Sequence, residues 1–439
     1  MTSEIGSESS SDLDPARLFA PVAHQRTIGL AVSGGADSLA LMLLYAGWTA
    51  PEKPKAIVYT LDHGLRPEGR GEAEMVVREA ARLGLPARLL TWEGPKPLSG
   101  KQQAARAARY RLIGEAMKAD GVALLLTAHH RRDQAETMLM RLAHGSGVTG
   151  LGAMRSFSCV EGVAVFRPLL EISPDTLAAC VEQTGLSPAH DPSNADPAYE
   201  RTRWREALAQ LEALGLTEDD LARAARRLQR IDALAERITD EFLATHVTRD
   251  RLGVLKLTRP ALVEADREIA IRALARLLAA ASGSRSYALA RIEALAERIG
   301  SGANFAATLG GARCEAGNDT VVFYREAGRK PIAPVQLAPG ETHLWDGRFT
   351  ITASVPARVG PATAMTRERF KALAGTPLWC PVAALRAAPL ICDDHGTVLA
   401  LGALVIQPGV RVGQPPLTAS SANCGNRPPQ MPGALVSPE

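Results

Sequence analysis

No run of about 18 consecutive apolar residues occurs in this chain, so no membrane-spanning helix is expected. Residues 1–14 are acidic and serine-rich and lack the apolar core of a secretory signal; they read as a short unstructured lead-in. Cysteine is scarce. Cys159, Cys180, Cys314, Cys380, Cys392 and Cys424 form no CxxC pair, a spacing that supports neither a zinc site nor a disulfide framework and makes a reducing cytoplasm the simpler setting. The GxxxxGK[ST] pattern of P-loop NTPases and the GxGxxG pattern of Rossmann dehydrogenases are both missing, and there are no internal repeats.

What is present is a chain of 439 residues, of which 46% are hydrophobic and 22% charged, enough to build a sizeable core. At roughly 100–200 residues per domain, two or three domains are expected. The formal net charge of +3 hides an asymmetry: residues 1–200 carry three more acidic than basic side chains, and the remainder six more basic than acidic. Arginine supplies 42 of the 50 basic groups, which suits phosphate recognition by the planar guanidinium. A genome rich in arginine, alanine and glycine accounts for this equally well, so charge alone does not decide for nucleic acid.

The first 200 residues alternate short apolar runs with helical patterns. Residues 27–32, 56–61, 87–91 and 122–127 read as strands, and 37–45, 71–83 and 102–119 as the helices between them. This order predicts an α/β fold with a doubly wound parallel sheet, whose ligands bind beyond the carboxyl ends of the strands. Three of those ends are polar and unusual: Ser33-Gly34-Gly35-Ala36-Asp37-Ser38, Asp62-His63-Gly64 and Thr127-Ala128-His129-His130. We expect a lead-in over 1–20, a catalytic domain over 21–209, a helical middle domain over 210–302, a small, mainly β domain over 303–405 and an unstructured tail over 406–439. In the helical part, Leu221, Ala224, Leu228, Ile231, Leu234, Ile238 and Phe242 recur three or four apart and predict one apolar face. Arg223, Arg226, Arg227 and Arg230 share the opposing side.

In the 33–38 loop, the glycine pair lets backbone N–H groups turn toward an anion, and the following helix adds its positive dipole end. Ser33 and Ser38 can donate to phosphate oxygens, and Asp37 can hold a magnesium ion against them. The string resembles the SGGxDS signature of the N-type ATP pyrophosphatases, the PP-loop family, which cleave ATP between its α and β phosphates and adenylate a substrate. Further stretches resemble, in order, those of the tRNA(Ile)-lysidine synthetases within that family: Leu61-Asp62-His63-Gly64-Leu65-Arg66, Ala105-Arg106-Ala107-Ala108-Arg109-Tyr110, Thr127-Ala128-His129-His130, Asp133-Gln134-Ala135-Glu136-Thr137, Gly145-Ser146-Gly147 with Gly150-Leu151, and Asp191-Pro192-Ser193-Asn194. They cover residues 27–205; beyond 210 the match is loose.

The resemblance implies an adenine-nucleotide α-hydrolase-like fold and a cytoplasmic ligase that uses ATP with Mg2+. Its partners would be an isoleucine tRNA with a CAU anticodon and free lysine. The C2 oxygen of the wobble cytidine would attack the α-phosphate, pyrophosphate would leave into the glycine loop, and the lysine ε-amine would then attack C2 and release AMP. ATP would be bound by Ser33, Gly34, Gly35, Ala36, Asp37, Ser38, Asp62 and His63, and the metal by Asp37 and Asp133. Catalysis would rest on Asp37, His129, His130, Asp133, Glu136, Arg106 and Arg109, with His130 or Glu136 taking the amine proton. Arg223, Arg226, Arg227 and Arg230 would meet the tRNA. No membrane partner is expected, and the oligomeric state is left open, a homodimer included.

Arg132 departs from the pattern, standing where the family usually has an acidic or amide residue; it alters metal or water binding there, or meets phosphate itself. Glu136 also has the plainer reading of helix surface or cap, and Asp62 that of a turn. The alternatives on the same fold are a tRNA base thiolase, which would need a reactive cysteine pair, and an ATP-binding sensor, which leaves the basic helical region unexplained.

Overall fold

The computed structural model describes residues 13–417 apart from 95, 98, 190–199, 284–287, 327 and 329–331. The Asp191-Pro192-Ser193-Asn194 motif, most of the 1–20 lead-in and the chain beyond 417 lie outside the described residues. The described residues fall into two compact units, one up to residue 232 and one from 233 to 417.

In the first unit, α1 (Pro15–Phe19) precedes β1 (Thr27–Ala31), α2 (Ala36–Gly47), β2 (Lys55–Asp62), α3 (Gly69–Arg82), β3 (Ala87–Thr91), α4 (Lys101–Ala119) and β4 (Leu125–Leu126). There follow α5 (Arg131–Ala143), α6 (Val148–Leu151), β5 (Phe157–Val160), β6 (Val163–Phe166), α7 (Pro174–Glu182), α8 (Glu200–Ala213) and α9 (Glu218–His246); the division between the units falls within α9. The sheet runs β3-β2-β1-β4-β6-β5, parallel throughout except for β5, which pairs antiparallel with β6. The doubly wound α/β fold is thus as expected.

Strand periodicity explains why both faces are covered. Ile28, Leu30, Val58, Leu126 and Phe166 enter the core with Leu39 and Tyr45 of α2 and Leu177 and Val181 of α7. Their neighbours Tyr59, Leu125 and Val165 enter the opposite core with Tyr110, Ile113 and Met117 of α4. On that second face Gly29 makes room for an aromatic ring: a Cβ there would stand 2.9 Å from Cε2 of Tyr59.

The second unit corrects the reading of 210–302 as wholly helical. Two strands, β7 (Val247–Arg249) and β8 (Leu255–Thr258), lie between α9 and the helices α10 (Arg259–Glu264), α11 (Arg267–Ser282) and α12 (Leu289–Gly300). They form a five-stranded sheet, β7-β8-β11-β10-β9, with β9 (Phe305–Leu309), β10 (Ala312–Ala316) and β11 (Thr320–Arg325). A boundary at 302 therefore cuts a sheet, because Leu255 and Leu257 find their apolar partners Phe323 and Val321 far along the chain.

Eight strands follow: β12 (Val335–Leu337), β13 (Thr342–Trp345), β14 (Phe349–Ala353), β15 (Ala357–Pro361), β16 (Pro389–Cys392), β17 (Val398–Leu401), β18 (Leu404–Val405) and β19 (Val410–Gly413). They make an antiparallel five-stranded sheet, β12-β15-β16-β17-β18, and a three-stranded one, β13-β14-β19. The mainly β character of 303–405 is as read. The unstructured tail does not begin at 406, since β19 pairs with β14 and Val410 is buried with Phe349 and Ile351. The apolar face read onto α9 is also covered only in part, with Ile231, Leu234 and Ile238 exposed.

Candidate active site

β2 lies on one side of β1 and β4 on the other, so the winding of the sheet reverses between β1 and β4 and opens a crevice at their carboxyl ends. Gly34, in the loop leaving β1, has φ +93°, a conformation L-residues avoid, and a Cβ there would lie 3.3 Å from Cε of Met75. Gly35 is the N-cap residue of α2. The turn is locked from within. The Ser38 hydroxyl donates to the Gly35 carbonyl (2.9 Å) and accepts from the Ser33 amide (3.1 Å). The Ala189 amide donates to the Gly34 carbonyl (2.9 Å), fastening the segment after α7 to the loop. The first-turn N–H groups of α2 have no intrahelical acceptors and, with the positive dipole end, suit an anion.

At the end of β2, Asp62 is buried and its Oδ1 accepts from the Gly64 amide (2.8 Å), at a φ of +60° for Gly64. This carboxylate shapes the turn. His63 Nε2 lies 3.2 Å from the Arg109 guanidinium, and Arg106 sits over the Tyr110 ring.

At the end of β4, His130 caps α5 in a reciprocal box: the Asp133 amide donates to His130 Nδ1 (3.3 Å) and the His130 amide to Asp133 Oδ2 (3.0 Å). Accepting through Nδ1 leaves the proton on Nε2, which stands 3.6 Å from both Asp37 Oδ2 and Asp133 Oδ2. Burial alone would lower the pKa of His130, but the Asp37, Asp133 and Glu136 carboxylates overcome it and hold the ring above the usual histidine range. His129 goes the other way. Burial, reinforced by Arg167, Arg201 and Arg106 and opposed by Asp133, pushes it down to about 4, and its Nδ1 meets the Thr127 hydroxyl at 2.9 Å. Adjacent histidines are thus shifted in opposite directions by their surroundings, the environment from which acid and base roles arise.

Glu136 is fully buried and is not helix surface. Its Oε2 accepts from Arg201 Nε (2.6 Å) and its Oε1 from Arg205 Nε (2.9 Å), while Arg201 Nη2 reaches Asp133 Oδ1 (3.0 Å). Burial alone would raise the pKa of Asp133; His130, Arg201, His129 and the His130 amide hold it below the ordinary carboxylate range. The fold therefore brings Asp37, His130, Asp133 and Glu136 into one chain of contacts. Sequence reading missed Arg201 and Arg205, whose i, i+4 spacing on α8 was the available signal, and Arg167. Arg167 is buried at the end of β6, with Nη1 donating to the Arg155 carbonyl (2.8 Å) and Ser158 hydroxyl (2.7 Å).

Arg132 is not turned to phosphate. It donates from Nε to Glu218 Oε2 (2.9 Å) and lies 3.6 Å from Asp175. Of the four α9 arginines read as the tRNA-facing side, Arg223 is tied to Asp219 and Asp220 and Arg226 to Glu171, whereas Arg227 and Arg230 are exposed and have no carboxylate partner among the described residues. Among the described residues no cluster of three or more His, Cys, Asp or Glu side chains forms a metal cage. For a magnesium ion bound through one carboxylate and substrate phosphates, Asp37 fits: its side chain is 42% exposed beside the phosphate loop. Asp133, with one oxygen on Arg201 and the other on the His130 amide, fits an orienting role better than a ligand's.

Residues 9–212 match the model of the PP-loop domain family. A tRNA(Ile)-lysidine synthase from Rhodopseudomonas palustris is 45% identical over 298 residues, spanning 66% of this chain and 85% of that protein. One from Ruegeria pomeroyi is 35% identical over 381 residues, spanning 85% and 88%. Among solved structures, the U34-tRNA thiolase NcsA from Methanococcus maripaludis is 15% identical with a TM-score of 0.42, covering 49% of this chain and 78% of that one, a likeness too remote to bear on function.

Proposed function

The chain belongs to the tRNA(Ile)-lysidine synthase family of ligases, and from that premise we propose that it joins free lysine to C2 of the wobble cytidine in the CAU anticodon of an isoleucine tRNA through an adenylated base. The observation that carries the reading is the meeting of a preformed anion loop at β1 with two histidines of opposite proton affinity at β4.

An anticodon loop offers an unpaired base that can enter the crevice without breaking a duplex. The Ser33–Ser38 turn receives the pyrophosphate that leaves as the cytidine oxygen attacks the α-phosphate. Asp37 would hold a magnesium ion, whose charge offsets that of the triphosphate. His130, whose Nε2 proton stands beside Asp37, supports negative charge on the transferring group. His129 is the neutral imidazole, and we assign to it, rather than to His130 or Glu136, the acceptance of a proton as the lysine amine attacks C2. Glu136 has both oxygens engaged by arginines and serves to hold Arg201 against Asp133. Arg106, Arg109 and His63 flank the phosphates, and Asp62 sets the turn that presents His63. Arg227 and Arg230 supply the sequence-independent attraction for tRNA. A reaction that consumes ATP and tRNA fits a cytoplasmic setting.

A thiolase on this fold would need reactive cysteines. Burial pushes the Cys314 and Cys380 thiols up to about 12 and raises that of Cys180, the opposite of what a nucleophile needs. The deciding experiment is ATP–pyrophosphate exchange with purified enzyme. Exchange should require the tRNA and proceed without lysine; exchange supported by lysine alone would mean that the amino acid is activated, and the proposed reaction order would be wrong.

A further inference from the structure

Arg131 and Arg132 occupy the first turn of α5, the positive end of the helix dipole, where cations are disfavoured. Both are drawn onto the first turn of α9, itself a positive helix end but one that carries Glu218, Asp219 and Asp220. Arg132 Nε donates to Glu218 Oε2 (2.9 Å), Arg131 Nε is 3.6 Å from Glu218 Oε1, and Arg131 Nη1 is 3.4 Å from Asp219 Oδ1. Two helix N-termini that would repel each other are thus held together by interleaved charges. The Glu218 side chain is only 13% exposed, so its contact with Arg132 is shielded from the screening that makes open ion pairs weak. The two ends of this contact differ in kind. On α5, His130 and Asp133 flank Arg132 in sequence. On α9, Arg227 and Arg230, without carboxylate partners among the described residues, stand nine and twelve residues beyond Glu218, or about 14 and 18 Å along the axis.

We propose that Arg132 is a positioning residue: through Glu218 it fixes α9 against α5, so that a tRNA held on Arg227 and Arg230 presents its unpaired base to His130 and Asp133. This rests on the ligase reading above. The experiment compares full-length Arg132→Gln, Arg132→Lys, Glu218→Gln and the Arg132→Gln/Glu218→Gln double variant with the unmutated enzyme. It measures tRNA affinity, ligation kcat/KM for tRNA, and ATP affinity without tRNA. Each Gln variant should weaken tRNA binding and kcat/KM by about tenfold, and the double variant should lose far less than the product of the two, since both remove the Arg132–Glu218 contact, even though Arg132→Gln also takes a charge from Asp175 and Glu218→Gln one from Arg131. ATP affinity should stay within about twofold, and Arg132→Lys, which keeps the charge, should recover part of the loss. Parallel loss of ATP affinity would mean that Arg132 acts on phosphate, and effects that multiply in the double variant would mean that the pair does not act as one; either overturns the proposal, as does unchanged tRNA affinity. An unmutated enzyme that binds tRNA but ligates nothing would overturn the ligase reading, while the loss of tRNA affinity in Arg132→Gln would still test the placement of α9.

Discussion

Replacing Glu136 by glutamine tests the arginine clamp most directly. The carboxylate is fully buried and gives one oxygen to each of two guanidinium groups, at 2.6 and 2.9 Å. Glutamine keeps the shape but offers one acceptor, and its NH2 group turns two more donors toward Arg201 or Arg205. Arg201 retains Asp133 as a second acceptor, so Arg205 bears most of the loss. Removing one partner of a fully buried ion pair costs about 3–5 kcal/mol, and of an exposed one about 0–1. Here the carboxylate is buried while the arginine side chains are 40% and 44% exposed, so water recovers part of their solvation. A value of about 2 kcal/mol is expected, or roughly a thirtyfold rise in the local opening of α8. Amide hydrogen exchange followed by mass spectrometry reads this as faster exchange confined to peptides of α5 and α8. Because the clamp meets the phosphate loop only at a remove, through Asp133 and His130 to Asp37, ATP affinity should hold, while ligation should fall at least tenfold as Asp133 loses the fixed position of Arg201. Exchange in α8 within twofold of the unmutated protein would refute the reasoning, since the clamp would then contribute nothing to holding α8.

Three further outcomes follow from the geometry. Gly34→Ala, forced to φ +93° with its Cβ against Met75 and Ala189, should cost about 1–2 kcal/mol of loop conformation and weaken ATP binding at least fivefold by calorimetry; unchanged affinity would mean the loop is not the phosphate site. Reversing Arg227 and Arg230 to glutamate should weaken tRNA binding more than reversing Arg223, which already faces Asp219 and Asp220, and should lower the salt dependence by about one ion per lost phosphate contact in filter binding. His130, whose pKa in the folded protein is raised, contributes stability that is present below its unfolded pKa of about 6.5 and is lost as pH rises through the folded value. Urea unfolding of the unmutated protein should therefore lose stability relative to His130→Gln on going from pH 6 to 8, and parallel curves would contradict the assignment.

The sheet and its crevice were legible because their signals are local. Strand alternation, the glycine pair and the paired histidines each lie within a few residues, and Ala87–Thr91 is the strand expected. The clamp was not legible because it is made across 65 and 69 residues, Glu136 to Arg201 and Arg205, and nothing on α5 announces which helix will cover it. Glu136, for which a surface position was the plain alternative, is buried for that reason. Asp62 went the other way: its oxygen is spent on the Gly64 amide, the bland outcome. Beyond residue 210 the same limit recurs. β7 and β8 are short, and the strand that joins them to the rest of the sheet, β11, lies beyond three intervening helices, so 210–302 read as helix alone, and the short Val410–Gly413 strand was hidden by the proline and glycine around it.

That last strand has a practical corollary. β14 is the middle strand of its sheet, with β13 on one side and β19 on the other, in register from Thr350 with Gly413 to Ala353 with Val410. Expressing the protein only as far as residue 405, a natural place to trim a chain whose remainder looks featureless, would take away the outer strand and leave Phe349–Ala353 as a bare edge with unpaired N–H and C=O groups and Phe349 and Ile351 less covered. Such an edge is a template for another chain. Trimming should spare Gln414, Pro415 and Leu417 as well, which bond Asp250 and Arg249 and pack on the core beneath β8, and material cut at 405 should come out of the cell as aggregate even though every described residue of the ATP-binding crevice is still in it.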